Sequence, residues 1–135
     1  ISDEGFWDIM DITQAPIVAT HSNSRAVWNN SRNLTDDMFR AIVQTGGVAG
    51  YNVCAEFTGE KPTLDTMCDH ILHFMELDPS GKHIALGGDL DGCGTLAAGM
   101  QGVQDMPRLW QALADRGYPR QLLKDLFWNN LRRLI

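Results

Sequence analysis

Apolar positions along this chain fall into two alternating textures, short β-branched runs and longer stretches of helical period. Residues 2–12 predict a helix, with Ser2 or Asp3 at the cap position and Phe6, Ile9 and Met10 on one face. Ala15-Pro16 closes it, and 17–20 is an apolar run of strand length that reads as buried. Thr35-Asp36-Asp37 caps a second helix bearing Met38, Phe39, Ile42 and Val43, and Gly46-Gly47 ends it. Residues 48–53 form a second strand. The clearest helical period spans 63–77, where Leu64, Met67, Ile71, Phe74 and Met75 recur at i, i+3, i+7, i+10 and i+11. Pro79-Ser80-Gly81 is a turn, and 83–86 is a third strand running into Gly87-Gly88. Two last helices are expected at 105–116 and 119–134, with Gly117 at a C-cap position and Pro119 in a first turn.

Helices alternating with continuously apolar strands are the signature of βα units on a parallel sheet covered on both faces, an α/β fold. Three such strands would leave unpaired edges and uncovered helix faces. The natural whole is a TIM barrel, typically about 250 residues. Ile1 is not an initiator methionine, and the first ten residues lack the basic start and apolar stretch of a signal peptide. The chain is therefore expected to begin inside something longer.

Composition narrows the partners. A formal charge of −6, with both signs mixed along the chain, argues against nucleic acid and anionic lipid. No apolar run approaches the roughly 18 residues of a spanning helix. Cys54, Cys68 and Cys93 are odd in number and widely spaced, which favours free thiols in a reducing compartment over a disulfide framework.

Candidate chemistry lies at the strand ends. The first strand ends in Thr20-His21-Ser22-Asn23-Ser24-Arg25, the second in Tyr51-Asn52, the third in Gly88-Asp89-Leu90-Asp91-Gly92. In a parallel α/β sheet these ends share one face, where barrel enzymes carry their sites. His21 suits a metal ligand through a neutral imidazole nitrogen, with a histidine hydrogen-bonded at a strand end as the plainer alternative. Asp89 and Asp91 suit a ligand or a general acid/base, or else belong to a Gly-Asp turn. Arg32 offers a guanidinium for a substrate carboxylate, or is a surface arginine. His70 and His73 sit at i, i+3 on a helix expected to lie outside a barrel, so structural roles are expected; His83 begins a strand at the opposite face.

Several of these segments, taken in order, resemble the membrane (renal) dipeptidase family. Pro16-Ile17-Val18-Ala19-Thr20-His21-Ser22-Asn23-Ser24-Arg25 and Arg32-Asn33-Leu34-Thr35-Asp36 are similar to its HS…RN(L/V)xD segment. Gly87-Gly88-Asp89-Leu90-Asp91-Gly92 is similar to its G-(G/S)-D-F-D-G, with Leu90 where phenylalanine is usual. Asp69-His70-Ile71 and Asn129-Asn130-Leu131-Arg132 resemble its D-H-(I/L) and N-x-L-R motifs. The resemblance implies a metallopeptidase that cleaves dipeptides at a two-zinc centre in a (β/α)8 barrel. Residues 1–135 would be the C-terminal portion of that single domain, its last three βα units plus the final helix. His21 would bind one zinc ion, Arg32 would hold the substrate carboxylate, and Asp89 would contact the substrate amine and act catalytically at the scissile amide. Asn52 matches an asparagine near the pocket without a catalytic role. The upstream metal ligands would lie outside the chain, the nearest immediately before Ile1, so the chain alone is expected to be inactive.

The expected partners are a dipeptide and the N-terminal remainder of the barrel, with homo-oligomerisation left open. Mammalian members of the family are lipid-anchored outside the cell, but the charge and the cysteines here fit a bacterial cytoplasmic protein better. Two other readings remain open at this point. One is another metal-dependent amidohydrolase acting on acylated amino acids or lactams; the other is a non-catalytic scaffold that kept the fold.

Overall fold

A computed structural model describes residues 1–135. Helix α1 (Asp3–Ile12) starts at Ser2, whose side chain accepts from the Gly5 N–H, and buries Phe6. Strand β1 (Val18–Ala19) leads through a polar loop to α2 (Asp36–Gln44), capped by Thr35. Gly46, at φ 74°, turns the chain into β2 (Val48–Asn52). A short helix α3 (Ala55–Thr58) and the long α4 (Leu64–Leu77) follow, the latter opened by a Thr63–Thr66 capping box. Strand β3 (Ile84–Gly88) is succeeded by a loop, then α5 (Met106–Asp115). The chain closes with α6 (Arg120–Lys124), a π-turn over Asp125–Asn129 and α7 (Asn130–Arg132).

The three strands are parallel in the order β1-β2-β3, pairing Val18 with Val48 and Ala49 with Ile84. Phe39 of α2 stacks on Phe74 of α4, with ring centroids 4.2 Å apart, inside a core that also takes in Ile42, Met67, Ile71, Leu109, Leu113 and Leu126. Each such fully buried side chain contributes about 1.5–3 kcal/mol. The α/β reading thus holds, with each long helix within a residue or two of its expected bounds.

Four expectations need correction. Within residues 1–135 the first strand is not buried: Val18 is 37% exposed, β1 being a free edge of the three-stranded sheet. Helix α3 was unforeseen, since four residues are too few to show a period. The final helix is interrupted by its π-turn rather than continuous. Cys54 and Cys93 are joined in a disulfide, Cα atoms 5.3 Å apart, so only Cys68 is a free, buried thiol. Pairing of β2 with β3 brings those two cysteines together, which spacing along the chain could not reveal. The disulfide also removes the free-thiol argument for a reducing compartment.

The helix histidines have structural partners, as expected. His73 Nε2 meets Asp36 Oδ1 at 2.8 Å, tying α4 to the start of α2. His70 is fully buried. Its Nδ1 accepts from the Ser24 N–H at 3.1 Å, so the ring proton is on Nε2, which donates to the Thr58 carbonyl at 2.9 Å. Burial is the largest influence on this ring and lowers its pKa from 6.5. The unfolded chain therefore takes up the proton first as pH falls. Stability from neutral His70 is fully present above pH 6.5 and is lost as pH drops towards the folded value. A urea midpoint followed downward from neutral pH should fall through this window. His70→Ala should cost about 1–3 kcal/mol, since two backbone groups lose their partners, and should flatten that pH dependence. A variant as pH-sensitive as the parent would remove His70 as its source.

Candidate functional site

Because the strands are parallel, Thr20-His21, Asn52 and Gly88-Asp89 emerge at the same end of the sheet, as the polar strand ends suggested. The approach there is close. A Cβ on Gly87 would overlap the Thr20 carbonyl oxygen and lie 3.0 Å from His21 Cα, and one on Gly50 would overlap the same carbonyl. Glycine at both positions lets the three backbones crowd together beneath the site.

His21 is half-buried, its Nδ1 2.7 Å from Thr20 Oγ1, an interaction that orients the ring and leaves Nε2 as the open nitrogen. It lines a cleft of about 290 Å³ together with Ile17, Arg25, Arg32, Asn33 and Met38. The loop carrying Arg32 is built from within. Asn33 is buried and donates to the carbonyls of Trp28 and Phe57, both at 2.9 Å. Arg25 donates to Asn33 O at 2.9 Å and grips both oxygens of Asp3 at 2.6 and 2.8 Å, holding that carboxyl below its ordinary pKa through these hydrogen bonds. Arg32 itself has no acidic partner. Its guanidinium lies 5.1 Å from the centroid of the Phe57 ring, a cation–π placement that leaves the hydrogen-bonding fork free.

Asp89 stands two residues past the glycine that packs on His21. It is the one non-glycine residue with positive φ, 69°, a conformation aspartate tolerates better than most. Asn52 Nδ2 donates to its Oδ2 at 3.1 Å. Asn52 is itself pinned: its N–H donates to Asn23 Oδ1 at 2.8 Å, and its carbonyl accepts from Asn23 Nδ2 at 2.9 Å. Sequence reasoning placed Asn52 near the pocket but did not see the Asn23–Asn52–Asp89 chain, whose two asparagines are buried; asparagine at two strand ends was its only trace. The following loop folds back on β2, with Ala55 N–H bonded to Thr95 O at 3.0 Å and the Cys54–Cys93 disulfide alongside. Asp91 is exposed.

The structure thus brings His21 and Arg32 to one cleft and places Asp89 beside them at the same sheet end, without Asp89 lining that cleft. No three His, Cys, Asp or Glu side chains come together. His21 fits one coordination position of a metal, and residues 1–135 do not form a closed site, which takes at least three protein ligands. No helix is long and apolar enough to cross a membrane.

Comparison with known proteins identifies the family. The sequence pattern of the membrane dipeptidase family (peptidase family M19) matches residues 1–135, and the chain belongs to that family. It is 34% identical over 134 residues to an uncharacterized dipeptidase of Schizosaccharomyces pombe, covering 97% of this chain and 33% of that protein. It is 36% identical over 141 residues to an uncharacterized protein from the pqqA 5′ region of Klebsiella pneumoniae, covering all of this chain and 51% of that one. The chain therefore spans about a third of the first of these relatives and about half of the second. Its fold superposes with a TM-score of 0.91 on a metallopeptidase of Rhodobacter sphaeroides crystallised with a phosphinate mimic of the dipeptide L-Ala-D-Ala. That match is 31% identical and covers 98% of this chain and 39% of the other.

The crowding under His21 is testable. Gly87→Ala must displace the Thr20 carbonyl and should cost about 1–3 kcal/mol, as overpacking does. Gly94→Ala, where an added Cβ meets nothing within 4 Å, should change stability by less than about 0.5 kcal/mol. Urea midpoints of the two variants make the comparison, and equal midpoints would refute the packing argument.

Proposed function

We propose that the full-length protein carrying this chain hydrolyses dipeptides at a two-zinc centre. The site lies at the mouth of a complete (β/α)8 barrel, of which residues 1–135 form the last three βα units and the final helix. The observation that carries this reading is the convergence of His21, the acid-free guanidinium of Arg32 and Asp89 at one end of a parallel sheet. Membership of the membrane dipeptidase family supports it, as does the dipeptide mimic bound by the Rhodobacter metallopeptidase.

His21 serves as one zinc ligand through Nε2, and the other ligands come from residues outside 1–135. Bound zinc supplies Lewis acidity toward the scissile carbonyl and makes water acidic enough to react at neutral pH. Arg32 receives the free carboxylate of the substrate in a bidentate pair, which restricts the enzyme to short peptides. Asp89 contacts the substrate's amino group, takes a proton from the attacking water and passes it to the amide nitrogen as the C–N bond breaks.

Two substitutions in the full-length protein test these roles. Arg32→Ala should raise KM for a free dipeptide about 10- to 100-fold, the worth of hydrogen bonds to a charged group. It should hardly change KM for the carboxyl-amidated analogue; equal effects on both would refute the clamp. Asp89→Asn should keep its zinc while kcat falls about 10²–10⁴-fold, and unchanged turnover would take Asp89 out of the chemistry. With one metal-binding side chain, the 135-residue chain assayed alone with zinc and dipeptide should show no turnover. Hydrolysis by it would overturn the claim that the site needs more of the protein.

A further inference from the structure

Asp89 occupies a backbone conformation that fixes where its side chain starts but not where its carboxylate points. Within its own loop nothing holds the carboxylate, since its one hydrogen bond from the protein comes from Asn52 on the neighbouring strand. The Asn52 amide has no freedom to turn over. Its Oδ1 accepts from the Cys54 N–H at 2.8 Å, so Nδ2 must face Asp89. A flipped amide would set its NH₂ against an N–H and its oxygen against a carboxylate. Asn52 is 1% exposed and Asn23 fully buried, so these bonds lie where water does not compete with them.

On its other side the carboxylate touches Gly92. A Cβ on Gly92 would overlap Asp89 Oδ1, so the absence of a side chain there makes the room that this oxygen occupies. Oδ2 is thus held by a donor, while Oδ1 takes no hydrogen bond from the protein and rests in a space kept open by glycine.

We propose that Asn52 and Gly92 are the positioning residues of Asp89, Asn52 by holding Oδ2 and Gly92 by admitting Oδ1, so that the unpaired oxygen is presented to the substrate. This rests on the reading of Asp89 as the residue acting at the scissile amide. Neither residue touches the reacting atoms; both act through the carboxylate.

The test uses the full-length, zinc-loaded protein. Asn52→Asp keeps the size of the side chain and the acceptor for the Cys54 N–H, but replaces the donor with a second carboxylate facing Asp89. Gly92→Ala, at an exposed loop position, forces the Asp89 carboxylate to swing away and stands as an independent variant should Asn52→Asp fail to fold. Each should lower kcat about 10²-fold, as a misplacement of about 1 Å does, with zinc content unchanged and KM for a dipeptide raised as well, because Asp89 also contacts the substrate's amino group. Introduced into Asp89→Asn, each should lower kcat by no more than a further twofold or so, because groups acting through one residue are not additive. Losses that multiply in that background, or an unchanged kcat in both single variants while Asp89→Asn is impaired, would overturn the positioning role and leave Asp89 in place. Full turnover in Asp89→Asn would overturn both.

Discussion

Strand β2 is buried at every residue, and the arrangement of the site depends on how tightly its neighbours close on it. Each backbone group of a strand covered on both faces must find its partner in the adjacent strands. Gly50 and Gly87 let those strands approach until the Thr20 carbonyl leaves no room for a methyl group. The end of β2 is therefore flanked by His21, which lines the cleft, on one side and by Asp89, outside that cleft, on the other. The polar residues at these ends do not create that proximity. It comes from hydrogen-bonded parallel strands that lack side chains where they touch.

A second, polar layer continues the same geometry beyond the last strand residue. Asn23 replaces a strand neighbour for Asn52, giving it both an acceptor and a donor at ladder distances. Asn33 serves the loop between β1 and α2 as a donor alone, to the Trp28 and Phe57 carbonyls, and His70 closes the back of that loop through Ser24. Every one of these side chains is at most 2% exposed, so an unmade bond would cost its full desolvation. Arg32, by contrast, is exposed and unpaired by acid. The loop spends its buried side chains on its own shape and leaves its free cation at the cleft.

Much of this was legible in the chain, and the limits of legibility have physical causes. The caps at Ser2 and Thr35 and the stripe from Leu64 to Met75 act over three or four residues, so they can be read locally, and α1, α2 and α4 follow them. That His21 and Asp89 emerge at one end of the sheet could be read because strand ends in a parallel sheet share a face. The Cys54–Cys93 disulfide and the Asn52–Asp89 bond could not. Both join residues 37 or more positions apart, and their proximity is created only by the register of β2 and β3. Burial of 17–20 was misjudged for a related reason. An apolar run reports that a strand is able to be covered, not that a neighbour is present to cover it.

The four histidines show how position in the sheet separates structure from chemistry. His83 precedes β3, at the opposite end of the sheet from Asp89, and its Nδ1 meets the Gly47 carbonyl at 2.7 Å, knitting the start of β3 to the start of β2. His73 pairs with a carboxylate on a neighbouring helix, and His70 uses both nitrogens on backbone groups. His21 differs in having its single partner next to it in the chain, Thr20, so its ring is oriented without being enclosed. A histidine satisfied by distant backbone holds parts of a fold together; one oriented by its own neighbour, at the end of a strand where a cleft opens, has a nitrogen left for something the fold does not supply.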